Sequence, residues 1–195
     1  MNAPMRRPNA LAVRILLATG VRGSELFTAK WSDVNLDEAR WHIPASKTGP
    51  AMDVPLAPLL VDWFKELRTY VSRSDFVLPA RARSRAERNG GDTHLSKDTV
   101  RESIDYWIKQ YRPSVRRFTP HDLRSTMKSH MRALGVPRDI SEMCLNHKLT
   151  GVEGIYDQHT YYSERRQALL TWQQFLLACE VSEKVALADK PELVT

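Results

Sequence analysis

Apolar residues along this chain recur mostly at three- and four-residue intervals, and two-residue alternation is confined to one short region. "NALAVRILLAT" (9–19) reads as a helix, started at Pro8 and Asn9 and closed by Gly20, which suits a left-handed C-terminal cap. "SELFTAKW" (24–31) predicts a short second helix, and "SDVNLDEA" (32–39) clusters the Ser, Asp and Asn residues of a turn. "RWHIPA" (40–45) alternates as a strand does, and "AMDVPL" (51–56) is its expected partner across a hairpin loop, "SKTGP", that carries Lys47. Helical spacing returns in "PLLVDWFKELRTYV" (58–71), with Leu60, Trp63, Phe64 and Leu67 on one side.

"FVLP" (76–79) suits a short strand or a connection. "ARARSRAERNGGDTH" (80–94) has no apolar period and is expected to be a mobile basic loop. Helices are predicted over 96–111, capped by Ser96, over 119–135, over 136–147 from Pro137, and over 163–187. "RPSVRR" (112–117) is a basic connector, and "ADKPELVT" is a polar tail. The predicted fold class is therefore mostly α with a small antiparallel β-sheet, an α+β arrangement with no internal repeat.

A length of 195 residues suits one domain with a sizeable core, or a smaller domain plus a tail. No run approaches the ~18 apolar residues of a membrane-spanning helix. The apolar N-terminal segment contains Arg14 and lacks a small-residue cleavage pattern, so it reads as a helix of the fold and not as a signal peptide. Two cysteines, Cys144 and Cys179, without a CxxC pair, suit a reduced, cytoplasmic protein. The formal net charge of +6 favours an acidic partner, nucleic acid above all.

Candidate chemistry begins in the 119–135 helix. Thr119, Pro120 and Asp122 form a T-x-x-D start, and Gly135 ends it. Leu123, Met127, His130, Met131 and Leu134 share one face, while His121, Arg124, Ser125, Lys128 and Arg132 share the opposite one. His121 and Arg124 are thus neighbours at the N-terminal end, where unsatisfied N–H groups favour an anion. One reading is a solvated basic face. The other is a phosphate clamp, for which the planar, always charged arginine fork is suited.

Arg22 stands between two glycines in "TGVRGSE", with Glu25 three residues on to orient or neutralise it. Lys47 sits at the hairpin tip. His147 follows the 137–146 helix, and Tyr156 comes nine residues after it, ahead of Tyr161 and Tyr162. Taken singly, each suits an ordinary surface or packing role; their order along the chain is what carries information.

In that order the sequence resembles the catalytic domain of the tyrosine recombinases, the phage-integrase family. "ATGVRGSELFTAKWSDVNL" resembles the first arginine box, "SKTG" the hairpin lysine, "TPHDLRSTMKSHMRALG" the H-x-x-R box, and "LNHKLTGVEGIYDQH" the closing L-G-H and tyrosine, with Asn146 in the glycine's place. The resemblance spans roughly residues 10–177. It implies Tyr156 as the nucleophile, Arg22 and Arg124 as phosphate-binding arginines, His121 and His147 as the two histidines, Lys47 as the hairpin acid, and Glu25 as a supporting carboxylate.

The implied reaction is DNA strand cleavage and rejoining through a 3′-phosphotyrosyl link, by an integrase of a phage or mobile element, with no metal and no cofactor. A zinc site from Cys144, His147 and His159 fits no common spacing. The partner is double-stranded DNA, with four copies on the DNA and a monomer when free. Arg81, Arg83, Arg85, Arg88, Arg112, Arg116, Arg117 and Lys128 are candidate contacts to flanking phosphates.

By the same resemblance, residues 1–177 form the catalytic domain and 178–195 the end of the last helix with its tail. The family's separate N-terminal DNA-binding domain, and the first helix of the catalytic domain, are expected to be missing from this chain. Alternatives are relaxation of DNA by a type IB topoisomerase-like enzyme, which shares the chemistry, and a DNA-binding fragment inactive in isolation.

Overall fold

Among residues 5–47, 49–71, 73–147 and 161–188, which the computed structural model describes with side chains to residue 182, twelve elements follow one another. They are α1 (Arg7–Thr19), α2 (Gly23–Phe27), a 3-10 turn (Trp31–Asp33), β1 (Val34–Asn35), β2 (Arg40–Ile43) and β3 (Met52–Pro55). Then come α3 (Pro58–Thr69), α4 (Arg83–Arg88), α5 (Lys97–Tyr111), α6 (Pro120–Ala133), α7 (Arg138–Cys144) and α8 (Tyr162–Ala188).

Helix α1 is the axis of the fold. Leu11, Ala12, Ile15, Leu16 and Ala18 are all buried, and the helix packs on α3, α5, α6 and α8. A helix enclosed on several sides must be apolar most of the way round, which "LAVRILLA" supplies. Trp172 of α8 lies against it and donates its indole N–H to the Leu17 carbonyl at 2.9 Å. The helix ends at Gly20, whose φ of +63° is the left-handed cap expected there. A Cβ at Gly20 would strike the side chains of Met127 and Leu145. The glycine therefore lets α1, α6 and the turn after α7 converge on one point, and the site forms around it.

The sheet has three antiparallel strands in the order β1-β2-β3, paired Val34 with Trp41 and Trp41 with Val54. The hairpin was expected; β1 was not, because two residues inside turn-rich sequence give no period to read. Trp41, Ile43 and Val54 point inward, with Trp41 edge-on to Phe64 of α3 at 5.7 Å between centroids.

Two other segments depart from the sequence reading. The helix expected over 24–31 stops at Phe27, because Lys30 bridges to Phe76 and draws the chain out of helical geometry. The 80–94 segment, expected to be a loop, contains α4. That helix buries no residue and is held by an Arg83–Glu87 pair at 2.9 Å, one turn apart, so no apolar period marks it. "FVLP" is a connection with Val77 and Leu78 buried; Val77 donates its backbone N–H to the Ala29 carbonyl at 2.9 Å, and the Leu78 carbonyl accepts from Leu95 N–H at 2.6 Å.

Candidate active site

Arg22 is the N-cap residue of α2. The Glu25 carboxylate accepts both its backbone N–H, at 2.7 Å, and its Nη1, at 2.9 Å. Glu25 is almost fully buried, so one carboxylate fixes the backbone and the guanidinium of the same residue.

Arg124 enters from the first turns of α6. That helix starts where the sequence places it: Thr119 donates its backbone N–H and its hydroxyl to Asp122, each at 2.8 Å. Helical periodicity assigns Arg124 to the solvated face, yet it is only 5% exposed. Its Nη1 donates to the Gly20 carbonyl and its Nη2 to the Leu145 carbonyl. These acceptors end α1 and follow α7, so a single guanidinium ties three helices together. Burial, and then the nearby charge of Arg22, pull it down to about 10, which leaves it charged at neutral pH.

His147 completes the cluster. Its Nε2 lies 2.7 Å from Arg124 Nη2, and its Nδ1 lies 2.6 Å from Glu142 Oε2. Arginine can only donate, so Nε2 accepts and the ring proton sits on Nδ1, facing the carboxylate. Glu142 also receives Lys128 Nζ at 2.6 Å. Burial pushes the Glu142 carboxyl up, but the hydrogen bonds from Lys128 and His147 outweigh it and hold the group below its ordinary range. Neither Glu142 nor this use of Lys128 was anticipated. The five-residue spacing from Glu142 to His147 crosses a helix end, where no simple period applies.

Arg22, His121, Arg124 and His147 all line one cavity of about 470 Å³, closed on another side by Lys97 and Arg101 of α5. His121 is exposed in the first turn of α6. Lys47 is exposed in the hairpin loop and lines a neighbouring cavity of about 240 Å³ with Glu25. The loop nevertheless abuts the cluster, since a Cβ at Gly49 would come within 3.4 Å of Arg22 Nη1 and 3.0 Å of Asn146 Nδ2. Tyr156 and His159 lie outside the described residues. Tyr162 opens α8 with the Arg165 guanidinium over its ring, at 5.7 Å from the centroid. Among the described residues, no group of His, Cys, Asp and Glu is arranged to hold a metal ion, and no helix is long and apolar enough to cross a membrane.

The other basic residues fall into two groups. Arg81, Arg85 and Arg88 line a cavity of about 640 Å³ beside the first turns of α5, with Arg81 donating to Asn9 Oδ1 at 2.7 Å. Arg112 and Arg116 are exposed in the connector before α6. By contrast, Arg117 forms a two-pronged pair with Asp105 at 2.7 and 2.8 Å, and Lys128 belongs to Glu142. Both, like Arg83 with Glu87, were read from sequence as phosphate contacts, and all three are engaged by protein carboxylates.

Comparison with known proteins matches residues 1–162 to the sequence model of the phage integrase family. The prophage integrase IntZ of Escherichia coli is 28% identical over 158 residues, covering 80% of this chain and 36% of that protein. The tyrosine recombinase XerA of Pyrococcus furiosus is 29% identical over 154 residues, covering 77% of this chain and 50% of that protein. The chain thus spans about a third to a half of the curated relatives it matches. In structure it is similar to the integrase from mycobacterium phage Brujita, with a TM-score of 0.63 at 15% identity over 86% of this chain and 52% of that one. It is also similar to the Tn1549 transposon integrase in complex with transposon right-end DNA, with a TM-score of 0.56 at 17% identity over 80% of this chain and 56% of that one.

Proposed function

The chain belongs to the phage integrase family, and from that premise we propose that it cuts and rejoins DNA strands at specific sites through a 3′-phosphotyrosyl intermediate. The observation that carries this reading is the convergence of Arg22, His121, Arg124 and His147 on one cavity, from three separate stretches of sequence. Two guanidiniums with two imidazoles form a site for a phosphodiester, a group that is already anionic and gains charge on its non-bridging oxygens in the transition state.

The proposed step uses Tyr156 as nucleophile. Its oxygen bonds to phosphorus as the bond from phosphorus to the 5′-oxygen breaks, and the electron pair goes to that leaving oxygen. His121 accepts the phenol proton, which matters because an ordinary tyrosine is almost wholly protonated at neutral pH. Lys47 gives a proton to the departing oxygen. A 5′-hydroxyl from a second duplex then attacks the phosphotyrosyl link, so resealing needs no external energy source. Arg22 and Arg124 stabilise the phosphate charge, and Glu25 holds Arg22. His147, its ring oriented by the Glu142 carboxylate at Nδ1, is a further partner for a phosphate oxygen.

The partner in this reading is double-stranded DNA, bound by four copies together, with the free chain a monomer. The basic residues lining the cavity beside α5, with Arg112 and Arg116, contact flanking phosphates and set affinity without choosing sequence. The reading takes residues 1–177 as the catalytic domain and 178–195 as the helix end and tail. It is tested with a pool of nicked suicide duplexes of randomised sequence, from which covalently trapped DNA is recovered and sequenced. A shared sequence motif in DNA trapped by the parent chain, and none trapped by Tyr156→Phe, is expected. Equal trapping by Tyr156→Phe would overturn the reading.

A further inference from the structure

Asn146 stands at a left-handed turn, with φ of +53°, between the two residues that Arg124 holds. On one side is the Leu145 carbonyl, which accepts from Arg124; on the other is His147, whose Nε2 does the same. Its backbone is therefore fixed relative to the phosphate-binding arginine. Glycine meets such a φ at no steric cost, so the turn alone does not call for a side chain. What asparagine adds is a donor: its Nδ2 bonds to the Pro50 carbonyl at 2.9 Å, across 96 residues of sequence.

Pro50 directly follows a closed loop. Ser46 and Gly49 exchange backbone hydrogen bonds of 2.9 and 3.2 Å, and Lys47 lies between them. Gly49 packs beside both Asn146 Nδ2 and Arg22 Nη1. The loop joins β2 to β3 and is also tied, at Pro50, to the Asn146 amide.

Resting on the reading above, we propose that Asn146 is a positioning residue: it fixes the hairpin loop against the Arg124–His147 pair and so sets where Lys47 delivers its proton. It touches neither the scissile phosphate nor the leaving oxygen, and acts through Lys47. Glycine at this position keeps the turn but removes the bond to Pro50. Aspartate keeps the size and the tolerance of left-handed geometry but cannot donate to a carbonyl.

The test compares two duplexes built on a cleavable sequence from the randomised pool, one ordinary and one with sulfur replacing the bridging 5′-oxygen. A thiolate leaves without a proton, since thiols have a pKa of about 8.5 where water has about 15.7. A defect in proton delivery therefore disappears on the sulfur duplex, and a general structural defect does not. Asn146→Gly and Asn146→Asp are expected to form adduct about five- to tenfold slower than the parent on the oxygen duplex and at the parent rate on the sulfur duplex. Lys47→Ala is expected to show the same pattern with a larger loss.

Slowing of both duplexes alike by the Asn146 variants, or of neither, overturns the positioning role. A Lys47→Ala chain that stays slow on the sulfur duplex removes Lys47 as the acid and this inference with it, while phosphotyrosine formation stands. Absence of adduct from the parent chain overturns the underlying reading as well.

Discussion

Replacing Arg124 by alanine separates its structural work from its chemical work. The guanidinium donates to two carbonyls, those of Gly20 and Leu145, at the junction of α1, α6 and α7. Two hydrogen bonds from a charged donor are worth about 3–6 kcal/mol. Against this stands the unfavourable burial of the charge. The fall from the ordinary guanidinium value to about 10 corresponds to roughly 3 kcal/mol recovered when the side chain is removed. The net loss of stability is then about 0–3 kcal/mol, or a melting temperature lower by up to about 10 °C for a chain of this size.

In the proposed reaction, loss of the charge facing the phosphate is the larger effect. Removing one such donor costs about 10²–10³ in rate. The chain carrying Arg124→Ala should therefore remain folded at 25 °C while forming adduct at least a hundredfold more slowly. Arg124→Lys should not restore the rate, because an ammonium cannot span both carbonyls and also face the cavity. Thermal melts followed by circular dichroism, with adduct formation measured on the same preparations, read both quantities. Cleavage within tenfold of the parent in either variant would refute the reasoning, as would an Arg124→Ala chain already unfolded at 25 °C.

Two further outcomes follow from the geometry. Gly20→Ala forces a Cβ into Met127 and Leu145 at φ +63° and should cost about 2–5 kcal/mol in urea unfolding; a loss below 1 kcal/mol would show that α1 and α6 have room to part. Burial raises Asp53 and Glu142, but hydrogen bonds from His42 and Arg40, and from Lys128 and His147, outweigh it; Arg7 lowers Glu66. All three carboxyls sit below their unfolded values, so their contribution is present above pH ~4 and is lost as pH falls through the lower folded values. Urea stability should accordingly drop below about pH 4, and a rise between pH 5 and 3 would contradict these pairings.

What the sequence made legible was whatever local chemistry dictates. The Gly20 cap, the Thr119–Asp122 start of α6, the Ser96 cap of α5 and the Trp41 strand are each written within a few residues, and each appears in the structure. The convergence of Arg22, His121, Arg124 and His147 was expected through resemblance alone, since no local rule brings residues 22 and 147 together. Neither sequence reading of Arg124, a solvated face or a phosphate clamp, included its burial against two carbonyls, for a definable reason. Periodicity ranks side chains by polarity, and a guanidinium that satisfies itself on buried carbonyls looks the same in sequence as one in water. Glu142 and the Asn146–Pro50 bond were invisible because each depends on how a helix end meets a distant segment. Helix α4 was missed because it buries nothing.

The central claim is that one tyrosine among three carries the DNA. A tryptic cut after Lys148 and after Arg165 releases a single peptide containing Tyr156, Tyr161 and Tyr162. Nuclease trimming of the trapped adduct followed by fragmentation mass spectrometry of that peptide locates the nucleotide. A nucleotide joined through its 3′-phosphate to Tyr156 is the expected result. Attachment at Tyr161 or Tyr162, or through a 5′-phosphate, would contradict it.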